Sequence, residues 1–515
     1  MHQGIRAAPD PVKPAVIAAE SAVSLSYGEL TENSARLAGA LHARGLERGD
    51  VVAILADLSP CGFETYWAAL SSGLTFTPID CSLSLEETAY VINDSGARAL
   101  VVSAELDDLA TELRPLTPGV DVRLAFGGVV DEHETYESVV LGSHTATVGE
   151  SRGREMFYTA GVTGRPRATR VVAADGEPDE HTRCLRTLLT RSCAVDRDTV
   201  LLSALPFSDA LGSQVAVSVH DAGGTVVTAA RHSPEALLAA IEHYRVSVLH
   251  VAPAMLVRLV KLPQRVRDGY DLASVRAVIH SGAPCPAEAK QRAIDWLGPI
   301  VHEFYSGAER NVMSFIDATE WRARRGSVGR SVLGSVHVCD QNGDEVPRRE
   351  VGTVYVERRA PAFWYHNAPD VTMAAQHPVR PNWTTVGDLG YVDDDGFLYL
   401  ADRESFVITV DGGAVYPREV EDLLVMHPRV ADAAVIGIPD ERDGQQVKAV
   451  VQPERDAEPG PELARELIEL ARAHGGRHTV PRSVDFIDTV PRTAGGKLTK
   501  RSLMRKYALV DSVAP

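Results

Sequence analysis

Short apolar segments alternate with longer segments of helical periodicity over most of this chain, and this alternation constrains its fold. The clearest apolar segments are residues 51–55, 98–103, 199–204, 224–229, 247–252 and 275–280, and the clearest helical segments are 30–44 and 64–72. Polar or turn residues bound each apolar segment. Short apolar segments between helices are typical of buried strands in parallel sheets. The sequence therefore predicts an α/β fold with more than one sheet layer.

The pattern changes after about residue 325, where strand-like segments follow one another without intervening helices. Segments 336–346, 352–358 and 396–400 have this character, and Asn342-Gly343 in the first segment favours a tight hairpin turn. Residues 326–402 are therefore expected to form a small β-barrel or antiparallel sheet. We expect this part to close a large N-terminal domain, residues 1–402, of stacked and mostly parallel sheets with helices.

The last part of the chain, residues 403–515, has the pattern of a separate α+β domain. Helical segments at 417–427 and 461–474 accompany a pair of strand-like segments at 433–438 and 446–452. We expect these four elements to pack into one small domain with its own core.

Composition argues against several classes of protein. The 515 residues include 70 Asp and Glu against 52 Lys and Arg, and a net charge of −18 gives no general attraction to nucleic acid or anionic lipid. The six cysteines form no CxxC pair, which argues against a zinc ribbon or a disulfide scaffold. No apolar run suggests a signal peptide or a membrane helix. We expect a cytoplasmic protein with reduced thiols and without nucleic-acid or membrane partners.

The segment 157–170, FYTAGVTGRPRATR, is the clearest candidate for binding an anion. Its glycines allow backbone N–H groups to close on a phosphate, and arginines at positions 165, 167 and 170 add positive charge. Taken alone, the segment is equally well interpreted as a glycine-rich surface loop with a solvated basic face.

This segment resembles the phosphate loop of the adenylate-forming superfamily, which includes acyl-CoA synthetases, peptide-synthetase adenylation domains and firefly-type luciferases. Five further motifs follow in the family's order. They are SGAP at 281–284, YSGAE at 305–309, WTTVGDLG at 383–390, DR at 402–403 followed by GGAVYPREVE at 412–421, and PRTAGGK at 491–497. The resemblance covers residues 25–503 and is strongest to the acyl-CoA synthetase branch.

The resemblance implies a two-step reaction in which a carboxylic acid and ATP give acyl-AMP, after which a thiol, with CoA expected, takes the acyl group. It implies a C-terminal domain that moves about a hinge between the two steps. The implied cofactors are ATP or acyl-AMP, Mg²⁺ and coenzyme A.

The resemblance also implies roles for individual residues. The implied nucleotide-binding residues are Thr159, Gly161, Thr163, Gly164, Arg167, Gly282, Ala283, Pro284, Tyr305, Ser306, Asp388, Arg403, Gly412 and Gly413. The implied acyl-site residues are Phe207, Asp209, Gly212 and Ser281. Glu309 is expected to hold Mg²⁺, and Lys497 to stabilise the charge that develops on the reacting carboxylate and α-phosphate. Only seven of the 52 cations are lysine, which strengthens the assignment of Lys497.

The chain departs from the family where hydroxyl groups would face phosphate. Ala160, Val162, Ala308 and Val386 stand where the family has Ser or Thr. A hydrogen bond to a charged group contributes roughly 1.5–3 kcal/mol, so losing two from the loop would weaken the pyrophosphate side by about 3–6 kcal/mol. Either the chain is a complete acyl-CoA ligase with a tolerant loop, or it adenylates poorly and uses acyl-AMP supplied by another ligase.

Two other functions remain open at this stage. A stand-alone ligase that loads a carrier protein would use the same motifs, because the sequence does not distinguish CoA from a carrier thiol. A non-catalytic protein that binds acyl-AMP would also explain the altered loop, although Lys497 and Glu309 argue against it. Many acyl-CoA ligases have a His beside the acyl tunnel, where this chain has Asp209.

Overall fold

The chain forms two large, mainly parallel sheets and three smaller sheets over the residues that the structure describes. This structure is a computed structural model, and it describes residues 10–21, 23–145, 152–159, 165–172, 177–229, 233–440, 442–476 and 478–511. The predicted combination of parallel sheets, an antiparallel region and a C-terminal α+β unit is confirmed.

The larger parallel sheet has nine strands. In sheet order they are Arg330–Leu333, Met313–Ile316, Val301–Tyr305, Ala277–His280, Val248–Val251, Val200–Ser203, Thr225–Thr228, Pro14–Ala18 and Ser24–Ser26. The six strands from Val301–Tyr305 to Pro14–Ala18 are parallel, and the strands outside them are antiparallel. Four of the apolar segments recognised in the sequence are therefore neighbouring strands of one layer.

The second parallel sheet has six strands. In sheet order they are Glu134–Thr135, Val122–Phe126, Ala97–Ser103, Val51–Leu55, Thr75–Ile79 and Arg154–Glu155. The largest apolar cluster contains Val52 and Phe76 from this sheet and Leu201 and Val248 from the nine-stranded sheet. The two sheets therefore pack as layers around a shared core, as the sequence predicts.

Helices cover the sheets, and their starts are encoded locally. The α-helices are Tyr27–Ala43, Pro60–Ser71, Leu85–Ser95, Asp107–Leu113, Tyr136–Gly142, Glu180–Ser192, Ala210–Asp221, Pro234–Tyr244, Pro253–Lys261, Gln264–Arg267, Ala287–Leu297, Ala318–Ala323, Pro369–Ala374, Pro417–Leu424, Pro461–His474 and Lys500–Asp511. Ser26 with Glu29, and Ser84 with Glu87, form capping boxes that satisfy the first free N–H groups of two helices. Among the described residues, no helix combines the length and the apolar character needed to cross a bilayer.

Two smaller antiparallel sheets follow the parallel layers. One contains Phe363–Tyr365, Arg167–Val171 and Phe157–Thr159; the other contains Ser335–Cys339, Gly352–Glu357, Asp388–Val392 and Leu398–Arg403, with Trp383–Thr384 paired to Gly352–Glu357. The first and last strands of the second sheet do not pair with each other. The region predicted as a small β-barrel or antiparallel sheet is therefore an open antiparallel sheet.

The hairpin predicted at 336–346 forms only in part. Gly343 has the left-handed φ of 87° that its turn requires. Glu345 forms a bridge to Cys339 and the N–H of Val346 donates to the carbonyl oxygen of Val338 at 2.9 Å, while the other side of the strand Ser335–Cys339 pairs along its length with Gly352–Glu357.

The C-terminal sheet contains Gly413–Val415, Ile408–Val410, Gly444–Pro453 and Val430–Asp440, with Ser483–Phe486 paired in parallel to Gly444–Pro453. Its two long strands are the strand pair expected from the sequence. Lys261, at the end of a helix of the large unit, donates to the carbonyl oxygens of Val425, His427 and Val430. One lysine therefore joins the large unit to the end of the first C-terminal helix.

Candidate functional site

A cleft lies where parallel strands of both large sheets end. Its lining includes Asp80, Tyr158, Thr159, Asp209, Gly282, Ser306, Gly307, Ala308, Thr493, Gly495 and Lys497. The carboxyl ends of parallel strands are where α/β proteins commonly bind ligands. The empty volume between the lining residues, which includes space open to solvent, is about 800 Å³. Lys497 comes from the C-terminal unit, so the two parts of the chain complete one cleft.

Asp388 is held from both sides by predicted nucleotide-binding residues. The hydroxyl of Tyr305 donates to Oδ2 of Asp388 at 2.7 Å, and Nε of Arg403 lies 3.1 Å from Oδ1. Burial and the charge of Asp388 raise the pKa of Tyr305 well above its ordinary value, so the hydroxyl remains a donor. Each carboxylate oxygen has a second lone pair, which leaves Asp388 able to accept the hydroxyls of a ribose.

Glu309 is buried beside this group. The hydroxyl of Tyr365 donates to Oε1 of Glu309 at 2.9 Å, and a Cβ added at Gly307 would lie 2.7 Å from Oε2. The described residues contain no group of three or more His, Cys, Asp or Glu side chains that could hold a metal ion by themselves. A single carboxylate suits Mg²⁺ that arrives with a nucleotide, because this ion takes its other ligands from phosphates and water.

Arg310 is fixed by ion pairs directly after Glu309. It is 5 % exposed, has a left-handed φ of 53°, and binds Asp179 at 2.6 Å and Glu155. Burial alone would raise the pKa of Asp179, but the charge of Arg310 lowers it well below the usual range. These pairs fix the backbone beside Glu309. Neither Tyr365 nor Arg310 is predicted from the sequence. The local signal for Arg310 is its position directly after the YSGAE motif.

Asp209 begins the helix Ala210–Asp221 at the wall of the cleft. Its Oδ1 accepts a hydrogen bond from the backbone N–H of Gly212 at 2.8 Å. A Cβ added at Gly282 or Gly495 would lie 3.3 or 3.1 Å from its Oδ2. Asp209 is 7 % exposed. One carboxylate oxygen therefore caps the helix, and the other lies between Gly282 of the SGAP motif and Gly495, two residues before Lys497.

Two predicted acyl-site residues lie behind the lining of the cleft. Phe207 is fully buried against Phe63 and Phe76, with ring centroids 4.8 and 5.7 Å apart. Ser281 is 1 % exposed, and its Oγ lies 2.8 Å from Nε2 of His250. Burial lowers the pKa of His250 to about 4, so the ring is neutral at pH 7. These residues support the wall without facing the cleft.

Lys497 is carried by a tight turn that enters the cleft. The N–H of Thr493 donates to the carbonyl oxygen of Lys497 at 2.9 Å. Gly496 has a φ of 82°, and a Cβ there would lie 2.9 Å from the Cβ of Ala252. Glycine at 495 and 496 therefore allows the turn to approach the large unit closely.

The predicted phosphate loop is described only at its ends. Thr159 and Arg167 pair across two antiparallel strands, and Oγ1 of Thr159 donates to the carbonyl oxygen of Arg167 at 3.3 Å. The predicted contacts Gly161, Thr163 and Gly164, and the departures Ala160 and Val162, lie outside the described residues.

The remaining predicted nucleotide contacts divide into two groups. Gly282 and Ser306 line the cleft, whereas Ala283, Pro284, Gly412 and Gly413 are absent from its lining. Gly412, with a φ of 76°, forms the turn before the strand Gly413–Val415. The last two glycines therefore have a local structural role in the hairpin that follows Arg403.

Comparison with protein families gives two matches that together cover most of the chain. Residues 5–365 match the model of the AMP-binding enzyme, and residues 419–497 match the AMP-binding enzyme C-terminal domain. The first match includes every residue of the large unit that lines the cleft, and the second ends at Lys497.

Similar proteins cover nearly the whole length. A feruloyl-CoA synthase of Amycolatopsis sp. is 30% identical, with 94% of each chain covered. The fatty acid–[acyl-carrier-protein] ligase ScoC of Streptomyces coeruleorubidus is 27% identical over 97% of this chain and 94% of its own. Among solved structures, the amide bond synthetase McbA from Marinactinospora thermotolerans is 27% identical and has a TM-score of 0.80, with 98% of this chain and 99% of that chain covered.

Proposed function

Because the chain belongs to the AMP-binding enzyme family and to its acyl-CoA synthetase branch, we propose that it joins a carboxylic acid to the thiol of coenzyme A through an acyl-AMP intermediate. One observation carries this proposal: Lys497 of the C-terminal unit lines the same cleft as Gly282 and Ser306 of the large unit. The reaction of this family needs such an arrangement, because the lysine ammonium group must lie near both the reacting carboxylate and the α-phosphate.

Three residues that the motifs assign to the nucleotide contact one another close to the cleft residue Ser306. Tyr305 and Arg403 hold Asp388 in place for the ribose hydroxyls. The ammonium group of Lys497 stabilises the charge that develops when the carboxylate attacks the α-phosphate. Glu309 would hold Mg²⁺, which neutralises phosphate charge when it is bound with ATP. We propose that the C-terminal domain, residues 403–515, then moves about Arg403 and admits the thiol.

We further propose that the ATP-dependent step is weak and that preformed acyl-AMP is the better substrate. The support is chemical: the side chains of Ala160, Val162, Ala308 and Val386 cannot donate hydrogen bonds to phosphate, whereas Tyr305, Asp388 and Arg403 are retained. A loss of about 3–6 kcal/mol corresponds to roughly 10²–10⁴-fold in rate. Another ligase would then supply the adenylate.

A paired assay on one purified sample tests this proposal. One arm contains ferulate and other aromatic and aliphatic acids with Mg-ATP and CoA, and the other contains the matching synthetic acyl-adenylates with CoA alone. We expect acyl-CoA mainly from the adenylates. An ordinary rate of about 1–10³ s⁻¹ from the acid and ATP would show a complete ligase and refute the weak first step. Ferulate is included because of the similarity to feruloyl-CoA synthase.

A second acceptor class is favoured by Asp209. An amine nucleophile must lose a proton when it forms an amide, and a carboxylate at the wall of the cleft is suited to accept that proton. The similarity to an amide bond synthetase supports this alternative, and the similarity to ScoC supports a carrier-protein thiol. Acceptor competition in the adenylate arm, with CoA, a carrier protein and a primary amine in turn, separates the three.

A further inference from the structure

The turn that carries Lys497 is fixed by a guanidinium group. Arg492 donates from Nε and Nη2 to the two carboxylate oxygens of Asp432, at 2.6 and 2.7 Å. Its remaining nitrogen, Nη1, donates to the carbonyl oxygen of Gly496 at 2.9 Å. Arg492 therefore connects a strand of the C-terminal sheet to the residue immediately before Lys497.

The segment 492–500, which contains the Lys497 turn, is connected at both ends to the same strand, Val430–Asp440. Asp432 lies on that strand and holds Arg492 at the start of the segment. At the end, the ammonium group of Lys500 lies 2.7 Å from Glu421, whose carboxylate accepts the N–H of Val435. The catalytic turn is thus held between two ion pairs while its tip enters the cleft.

Only arginine meets this geometry. A carboxylate and a carbonyl oxygen must be bound at once from fixed directions, and the planar guanidinium group presents several donors in one rigid fork. A lysine would keep the charge and lose at least one of the three hydrogen bonds. An error of about 1 Å in the position of a reacting group costs on the order of 10²-fold in rate.

We propose that Arg492, oriented by Asp432, is a positioning residue that acts through Lys497. This inference rests on the proposed function, because it assumes that Lys497 contacts the adenylate. It adds a pair of residues, one of them about 60 positions earlier in the chain, to the machinery of the first half-reaction. Arg492 itself touches no substrate in this arrangement.

A double-mutant cycle tests the inference. The measured quantity is the dissociation constant of the sulfamoyl analogue of feruloyl-AMP, together with the rate of acyl-AMP formation wherever the wild-type chain shows one. We expect Arg492→Met to weaken both by about 10–100-fold, which is no more than the effect of Lys497→Met. In the Lys497→Met background, Arg492→Met should have no further effect, because its role passes through the absent ammonium group.

Two further variants and one control separate positioning from general stability. Asp432→Asn should reproduce the Arg492→Met effect, and Arg492→Lys should restore only part of it. Arg482 binds Asp440 and Asp443 in the same unit, away from the turn, so Arg482→Met should leave both readouts within twofold of wild type. In Arg492→Met, amide hydrogen exchange should increase at Gly496 and Lys497. The thermal midpoint of Arg482→Met should fall at least as much as that of Arg492→Met, so that a loss of stability alone does not explain the loss of binding.

The outcomes are distinct. An Arg492→Met effect that persists in full without Lys497, or a matching loss in Arg482→Met, would overturn the positioning role and leave the proposed function intact. A wild-type chain that binds none of the aryl or aliphatic adenylate analogues would overturn the proposed function and this inference with it.

Discussion

The hydroxyl of Tyr305 donates to the carboxylate of Asp388 across 2.7 Å, which joins the end of a parallel strand to the start of an antiparallel one. The resemblance implies a nucleotide contact for each of these residues, from two separate motifs. Their direct contact means that the tyrosine also orients the carboxylate, so a change at residue 305 should affect ribose binding even when the ring is kept.

Tyr305→Phe should therefore weaken binding of AMP and of the acyl-adenylate analogue about 10–100-fold, because a hydrogen bond to a charged group contributes roughly 1.5–3 kcal/mol. Titration calorimetry measures this directly. Tyr391→Phe is the matched control, since that ring stacks on Tyr399 in the antiparallel sheet, whereas the hydroxyl that donates to Asp388 belongs to Tyr305. Equal losses in the two variants would refute the role of the Tyr305 hydroxyl.

Lys497→Met should separate the two half-reactions. Removing one preorganised charge from a developing oxyanion commonly costs about 10²–10³-fold in rate, so acyl-AMP formation should fall by that factor. Transfer from added acyl-AMP to CoA should change less than fivefold, because the adenylate is already formed. Lys506→Met, in the last helix, is the control and should leave both rates unchanged. Equal losses of both rates in Lys497→Met would contradict this division of roles.

The parts of the fold that depend on local pattern were predictable. The helix Pro461–His474 was expected with the same bounds, and Lys497 was found through its motif and the scarcity of lysine. Both signals are contiguous in the sequence, so no knowledge of packing is needed to see them.

The parts that depend on packing were not. Phe207 was expected at the acyl site, yet its ring fills the core against Phe63. The contacts of Tyr365 with Glu309 and of Arg492 with Asp432 join residues about 60 positions apart, and pairing at that distance leaves no periodic trace in one sequence.

Lys261 should favour the arrangement in which Lys497 occupies the cleft. Its ammonium group donates to carbonyl oxygens at the end of the first C-terminal helix, including those of Val425 at 3.3 Å and His427 at 3.1 Å, and lies 3.3 Å from Glu454. Lys261→Met should therefore lower the rate of acyl-AMP formation tenfold or more, while transfer from added acyl-AMP to CoA is kept or increased.

Lys13 provides the comparison for Lys261, since it also donates to backbone carbonyl oxygens, those of Arg197 and Gly223, but within the large unit. Lys13→Met should lower stability without changing the ratio of the two half-reactions. Lys261→Arg should not restore that ratio, because a planar guanidinium cannot replace an ammonium group among several carbonyl oxygens. An unchanged ratio in Lys261→Met would exclude this contact as a determinant of domain position.

Acid should destabilise the fold through His220, which is fully buried. Trp67 donates from Nε1 to its Nδ1 at 3.3 Å, and its Nε2 lies 3.0 Å from the carbonyl oxygen of Ala15, so the neutral ring uses both nitrogens. Burial lowers the pKa of His220 to about 4. Because the folded-state pKa lies below the unfolded value of about 6.5, the stability is complete above pH 6.5 and is lost as the pH falls towards 4.

The expected loss is about 1.4 kcal/mol per pH unit between those limits for this one histidine. Urea unfolding at pH 7.5, 6.0 and 5.0 measures it, and His220→Gln should lower stability at pH 7.5 while reducing the difference between pH 7.5 and 5.0. His144→Gln, at an exposed position, should leave the pH dependence unchanged. Since His181, His250 and His280 are also buried with lowered pKa values, the slope should decrease in His220→Gln without disappearing. A slope identical to that of wild type would show that His220 is not protonated on unfolding in this range.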